Sequence, residues 1–151
     1  MTDRRDQFLI ERYKFILEQK RQLNANTFKV VAIFQALSLA IIGAVVALVT
    51  QLGEGKVDVH LAVYAARFCA GLMAAVGVFA ALVIVSGLSA WINYRADEAQ
   101  VEAEVFGSAR AQPSWRDAPK WYETYILLAI FAFTVTVVIA VLFVVVPYIR
   151  T

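Results

Sequence analysis

The residues that could do chemistry are few in this sequence, and they are scattered. His60 is the one histidine and Cys69 the one cysteine, so the chain can form neither a histidine-based zinc site nor an intrachain disulfide. Four carboxylates lie close together in the sequence: Asp97, Glu98, Glu102 and Glu104. Such a run more often forms a solvated helix face than a cation site. With no glycine-rich phosphate loop or nucleophile elbow, we expect no catalytic residue, metal or cofactor, and a protein that is not an enzyme.

The composition indicates that much of the chain lies in an apolar solvent. Of 151 residues, 61% are hydrophobic, and the mean hydropathy is +0.67. A helix needs about 20 predominantly apolar residues to cross about 30 Å of hydrocarbon. Segments 28–50, 61–91 and 121–148 each contain such a stretch. We therefore predict an all-α, polytopic membrane protein with three transmembrane helices.

The connecting segments are also readable from the sequence. In segment 1–27, apolar residues recur at three- and four-residue steps, which predicts an amphipathic helix. Segment 51–60 is predicted as a short outer loop, and 92–107 as a helical extension of the second span that ends at Gly107. Segment 108–120, with two prolines, is predicted as the linker.

The junction between the first helix and the first span has two interpretations. Asn24, Asn26 and Thr27 are poor residues for a helix interior and good caps, which favours a break or kink there. However, neither glycine nor proline occurs before Gly43, which favours one continuous, bent helix over residues 3–50.

The distribution of basic residues predicts the orientation. Segments 1–29 and 92–120 carry seven and four of the 14 Lys and Arg residues. The positive-inside rule then places the amino terminus and segment 92–120 in the cytoplasm and the carboxyl terminus outside. The aromatic residues Trp91, Trp115, Trp121 and Tyr122 would lie at the same inner interface, as an aromatic belt does.

Several polar residues fall within the predicted spans. Arg67 lies about one turn inside the second span and is expected to snorkel to the outer interface rather than to serve as a buried functional charge. Gln35 lies well inside the first span, so its amide is expected to form a hydrogen bond with another helix. Ser38 and Thr134 are expected to bond to their own backbone carbonyls.

Small residues recur along the first two spans. Because lipid gives apolar helices no hydrophobic drive to associate, close approach through small residues holds such bundles together. These stripes could pair within one chain, but together with Gln35 and the amphipathic helix they favour a homo-oligomer. The predicted packing residues are Ala32, Ala36, Ala40, Gly43, Ala44, Ala70, Ala74, Gly77 and Ala81.

Aromatic residues outside the spans are candidates for binding a partner. Phe8 and Phe15 fall away from the apolar face of the first helix, and Trp115 lies in the linker. They are either scattered surface aromatics or a second packing surface. The expected partners are membrane lipids, further copies of the chain and a cytoplasmic protein, with no nucleic acid.

The first 106 residues resemble bacterial SLATT-type effectors, which are small membrane proteins of nucleotide-signalled antiphage systems. The resemblance rests on two spans with a helical extension, and on the residues that precede the first span: Lys20, Arg21, Asn24, Ala25, Asn26 and Phe28. It implies oligomerisation and disruption of the inner membrane. The third span departs from that two-span pattern. Small membrane subunits of other defence systems, such as Kiwa, offer a neighbouring interpretation as a membrane sensor.

Three hypotheses follow. The first is an oligomeric, membrane-disrupting effector or narrow pore. The second is a sensor or scaffold that recruits a cytoplasmic partner, and the third is an accessory subunit of a larger membrane complex.

Overall fold

The computed structural model describes residues 2–107 and 121–150. Helix α1 covers Thr2–Gly53, α2 covers Val59–Phe106 and α3 covers Tyr122–Ala140. A π-helical turn, Val141–Val145, joins α3 to the short α4, Val146–Arg150. Within these described ranges there is no strand, so the predicted all-α class is confirmed.

Three helical stretches in the described part of the chain are long and apolar enough to cross a membrane, as the sequence predicts. They are Gln7–Gly53, Val59–Val105 and Tyr122–Arg150, of 47, 47 and 29 residues. The first two are much longer than a bilayer requires, because about 20 residues suffice. Each therefore has room for a charged portion beyond its apolar one.

Helix α1 runs without interruption through residues 24–27, so the chain has no break there and the continuous alternative is the correct one. Two of the three capping residues form hydrogen bonds without leaving the helix. Thr27 donates its hydroxyl to the carbonyl of Leu23, 3.2 Å away, and Asn24 accepts a hydrogen bond from Tyr122 at 3.4 Å. Residues of this kind disfavour helix interiors mainly by competing for backbone groups. Here the Thr27 hydroxyl bonds to a carbonyl of its own helix, and the Asn24 side chain bonds to Tyr122 of α3, so neither interrupts α1.

The connection between α1 and α2 is shorter than the predicted loop 51–60, because α1 ends at Gly53 and α2 begins at Val59. Gly55 makes the turn with a φ of +70°, a conformation that favours glycine. Asp58 then caps α2, since its carboxylate accepts the backbone N–H of His60 at 2.8 Å. The sequence prediction assigned His60 to the loop, whereas it lies in the first helical turn.

The π-helical turn precedes the one proline of the membrane helices. Pro147 cannot donate a backbone hydrogen bond, and its ring crowds the preceding turn of a helix. The backbone N–H of Val146 bonds to the carbonyl of Val141, five residues back, which widens the helix at this point. The chain thus continues as helix into α4.

Helix α2 ends at Phe106, as the sequence predicts. The next residue, Gly107, has a φ of +70°, a conformation typical of the glycine that follows a helix.

The chain divides into two compact units. Unit 1 consists of the described residues of Met1–Lys29 and Val83–Tyr125, and unit 2 of those of Val30–Leu82 and Ile126–Thr151. The core of unit 1 contains Leu9, Ile16 and Val101, packed with Tyr13 and Tyr94. The core of unit 2 combines alanines of α2 with branched residues from α1, the π-helical turn and α4: Val45, Ala62, Val63, Ala66, Ala70, Val141, Val146 and Ile149.

Candidate functional site

A charged cluster joins α1 to α2 in unit 1. Lys20 donates to Oε2 of Glu98 at 2.8 Å, and Arg95 donates to the same oxygen at 2.6 Å. The Glu98 side chain is only 5% exposed. Burial alone would raise the pKa of the Glu98 carboxyl, but the hydrogen bonds and positive charges of Lys20 and Arg95 together outweigh it and hold that pKa below its ordinary value.

The predicted solvated face of carboxylates is therefore wrong for one of its members. Asp97 and Glu104 are exposed, as expected, and Glu102 is half-buried. Glu98 is buried because it follows Arg95 by one helical turn and Lys20 approaches it from α1. The spacing in the sequence indicates only the contact of Glu98 with Arg95, three residues before it. Lys20 lies 78 positions from Glu98, so no local pattern predicts that contact.

Aromatic rings pack where the helices of unit 1 approach one another. Trp91 and Trp121 meet edge to face, with centroids 5.2 Å apart, and Phe28 stacks on Tyr122 at 6.1 Å. The guanidinium of Arg95 lies 6.0 Å from the Trp91 ring. Of the aromatic residues assigned to the inner interface from the sequence, Trp91, Trp121 and Tyr122 lie in unit 1, and Trp115 lies outside the described residues.

In unit 2, a groove of about 540 Å³ runs between α1 and α3. Its wall includes Gln35, which is exposed, and Ser38, which is 2% exposed. At the same groove, Phe34 and Phe133 pack edge to face with centroids 6.0 Å apart. A volume in this range can accommodate a sizeable group, and the lining offers two polar side chains in an otherwise apolar setting.

Two hydroxyls of unit 2 contradict the expectation that each would bond to its own helix. In the described structure, the buried Ser38 Oγ and Thr134 Oγ1 have no hydrogen-bond partner. By contrast, Thr50 and Ser89 donate to the carbonyls four residues back, at 3.0 and 2.9 Å. Residue type alone does not distinguish these cases, because the choice depends on the neighbouring helices.

The small residues of α1 and α2 have different surroundings. On α1, the predicted packing residues Ala32, Ala36, Ala40, Gly43 and Ala44 are all exposed. The same stretch of α1 has a buried face formed by Phe34, Ser38, Ile41 and Val45. At 3.6 residues per turn, the centres of the two faces lie roughly 160° apart. The small-residue face of α1 is thus unused within unit 2.

On α2 the small residues are largely covered within unit 2. Ala70 is buried, Ala74 and Ala81 are half-buried, and Gly77 is buried. A Cβ atom added to Gly77 would lie 2.7 Å from Cγ2 of Thr134, so α2 and α3 approach closely there.

The remaining predicted residues have the following positions. Phe8 and Phe15 are 62% and 58% exposed. Arg67 is exposed and Cys69 is half-buried against the core of unit 2. Trp115 and the predicted linker 108–120 lie outside the described residues. Within residues 2–107 and 121–150, no three His, Cys, Asp or Glu side chains are grouped so as to hold a metal ion.

No protein-family model, curated protein or solved structure matches this chain.

Proposed function

We propose that this chain is a non-enzymatic, homo-oligomeric protein of the bacterial inner membrane that acts as a membrane-disrupting effector or narrow pore in antiphage defence. The observation that carries the self-association is the exposed small-residue face of α1, opposite the face that α1 buries. In lipid, helices associate where small residues allow their backbones to approach. A second copy of the chain is the partner that this face would take.

The proposed topology places unit 1 at the cytoplasmic side. Its aromatic pairs and its many basic residues have the character of an inner interface, where tryptophan and tyrosine lie at the level of the lipid headgroups. The amino terminus would then be cytoplasmic and the carboxyl terminus outside. The exposed position of Arg67 on α2 is compatible with snorkelling to the outer interface.

The spans carry few exposed polar residues, so a pore built from them would be narrow. Gln35 and Thr50 are exposed polar positions on α1, about four helical turns apart. Such a lining suits a passage that opens and closes by wetting and dewetting rather than a wide aqueous channel. The defence role itself is supported by the resemblance of residues 1–106 to SLATT-type effectors.

Substitution on the exposed face of α1 tests this proposal. We expect Ala36→Leu to reduce the mass of the detergent-solubilised particle from an oligomer to a single chain, and to abolish the depolarisation caused by expressing the protein. Ala132→Leu is the matched control, because Ala132 is exposed on α3, away from this face. A wild-type particle with the mass of one chain would refute the oligomeric effector.

Labelling with a membrane-impermeant maleimide tests the topology, with Cys69 replaced by alanine. His60→Cys should react in intact spheroplasts, whereas Glu104→Cys should react only after permeabilisation. Both positions are exposed in the folded chain, so accessibility reports the side of the membrane. The reverse pattern would invert the proposed orientation.

The exposed rings of Phe8 and Phe15 favour a second candidate, a membrane sensor or scaffold that recruits a cytoplasmic protein. The two rings lie seven residues apart, so they project from the same side of α1. Large exposed aromatics on one side of a helix are suited to an interface. In this case the protein should not depolarise cells on its own, and Phe8→Ser with Phe15→Ser should release a soluble partner that copurifies with the wild type.

A further inference from the structure

Near its start, helix α2 carries a cation that has no carboxylate partner. Arg67 is exposed and, within the described part of the chain, forms no hydrogen bond or ion pair. The sequence of unit 2 contains two acidic residues, Glu54 and Asp58. Both are engaged, because Glu54 pairs with Lys56 at 2.7 Å and Asp58 caps α2 through the backbone N–H of His60 at 2.8 Å.

This cation lies in the apolar part of the helix. Arg67 follows the start of α2 at Val59 by eight residues, which is about 12 Å at helical rise. Farther along the same side of α2, the exposed residues are apolar: Gly71, Val78 and Leu82. Such a surface is suited to contact with lipid. A charge is costly in hydrocarbon, so the guanidinium must reach the headgroup region and an anion there.

Two further hydrogen-bond donors lie between Arg67 and the start of the helix. His60, Tyr64 and Arg67 are all exposed, and at 3.6 residues per turn they fall within about 60° of one another around α2. Helical side chains lean toward the N-terminus of their helix, which places the guanidinium over the turn that contains Tyr64. A phenol, an imidazole and a guanidinium can each donate. This side of α2 therefore offers positive charge and several donors.

An anion with several acceptor oxygens fits this arrangement. Guanidinium binds phosphate through two parallel hydrogen bonds, and the headgroup region borders the hydrocarbon core on each side. We propose that His60, Tyr64 and Arg67 bind the phosphate of a phospholipid headgroup, with an acyl chain of that lipid along the apolar side of α2. A Cβ atom added to Gly71 would meet nothing within 4 Å, so there is room for the chain. This inference goes beyond the proposed function and requires only that α2 spans a membrane.

A carboxylate from a second copy is the alternative partner for Arg67. Unit 2 could supply it only from Glu54 or Asp58. Recruiting the first would break the ion pair with Lys56, and recruiting the second would remove the cap of α2. A phospholipid neutralises the charge without either loss, and its phosphate lies at the level that the guanidinium must reach.

Native mass spectrometry of the full chain measures this binding. The protein in detergent is mixed with equal amounts of phosphatidylglycerol and of digalactosyl diacylglycerol, a bilayer lipid without phosphate. The wild type should retain phosphatidylglycerol preferentially. A charge-assisted contact changes affinity by roughly 10- to 100-fold, so Arg67→Gln should lower the ratio of the two bound lipids by that factor.

Three further variants separate charge, geometry and simple proximity. Arg67→Lys keeps the charge but loses the paired hydrogen bonds, so its lipid ratio should lie between those of the wild type and Arg67→Gln. Tyr64→Phe removes one neutral donor and should lower the ratio by about 2- to 10-fold. Lys56→Gln is the control, because Lys56 is also an exposed cation near the start of α2 but is bound to Glu54. It should leave the ratio unchanged.

The results that would overturn this inference differ from those that bear on self-association. Equal retention of the two lipids by the wild type would refute it, and so would an undiminished preference in Arg67→Gln. Displacement of phosphatidylglycerol by millimolar inorganic phosphate would indicate a site for a soluble anion instead. A smaller particle mass in Arg67→Gln with an unchanged lipid ratio would assign Arg67 to a contact between copies. The test of self-association is Ala36→Leu, so either proposal can fail without the other.

Discussion

The contact between Gly77 and Thr134 gives the sharpest test of the packing in unit 2. A Cβ atom at Gly77 would lie 2.7 Å from Cγ2 of Thr134 and 3.1 Å from its Cβ. Threonine is stiff about its first side-chain bond, and rotation would only exchange one substituent for another. Overpacking of this kind costs about 1–3 kcal/mol. Alanine is also more favourable than glycine within a helix, which offsets about 0.5–1 kcal/mol of this cost. We therefore expect Gly77→Ala to lower the free energy of unfolding by about 1–2 kcal/mol.

Removing the obstructing atoms should restore the stability. Thr134→Ala deletes the methyl group and the hydroxyl that crowd Gly77, and this hydroxyl makes no hydrogen bond that could be lost. In the double variant the new methyl at position 77 occupies the vacated space. The free energy of unfolding of the double variant should therefore exceed, by about 1–2 kcal/mol, the value obtained by adding the losses of the two single variants.

Unfolding in mixed micelles of dodecyl maltoside and dodecyl sulfate measures these differences. Gly71→Ala is the control on the same helix, because a Cβ atom there meets nothing within 4 Å. It should unfold at the wild-type midpoint or slightly above it. If Gly77→Ala proves as stable as Gly71→Ala, or if Thr134→Ala gives no rescue, then α2 and α3 do not approach at this point.

Three further predictions concern unit 1 and its charged cluster. Glu98→Gln leaves Lys20 and Arg95 without their carboxylate, and should weaken the packing of α1 on α2 by about 2 kcal/mol, measured as faster proteolysis of residues 7–23. Glu104→Gln, at an exposed carboxylate, should leave the proteolysis rate unchanged. Because the folded-state pKa of Glu98 is lowered, its contribution is complete above the unfolded-state value of 4.5 and is lost as the pH falls below it. The fluorescence of Trp91, beside Arg95, should accordingly change below about pH 4.5 in the wild type and not in Glu98→Gln. Identical acid profiles for the two proteins would show that the change does not come from protonation of Glu98.

The sequence predicts the helices well because the signal is strong and local. Long apolar runs identify the three membrane-length helices, and Gly107 marks the end of α2. Of the two interpretations of Asn24–Thr27, the continuous helix is correct and the break is not, because residue propensity is a weak signal when partners lie nearby. Thr27 bonds within its own helix and Asn24 bonds to Tyr122, a residue 98 positions away.

The contacts of the candidate site depend on information that is not local. Lys20 and Glu98 are unremarkable in their own segments, and only the pairing of α1 with α2 shows that the carboxylate is buried. The same holds for Ser38, whose sequence neighbourhood resembles that of Ser89 in polarity. One hydroxyl is buried without a hydrogen-bond partner and the other bonds to its own backbone. Patterning along one helix cannot distinguish these outcomes, because both serines are compatible with a helical position.

The two small-residue stripes show why this difference matters for function. From the sequence alone, Gly77 and Ala36 are equivalent candidates for a contact between copies. In the structure, Gly77 is covered by Thr134 of its own unit, whereas Ala36 lies on the exposed side of α1. A bulky residue at Gly77 would therefore damage the chain's own packing and would report nothing specific about assembly. A bulky residue at Ala36 leaves the described contacts of unit 2 untouched. A loss of self-association caused by a substitution at Ala36 would therefore report on the surface between copies. The proposed oligomer is tested only by a substitution of that kind, and not by one at Gly77 that disturbs the packing within the chain.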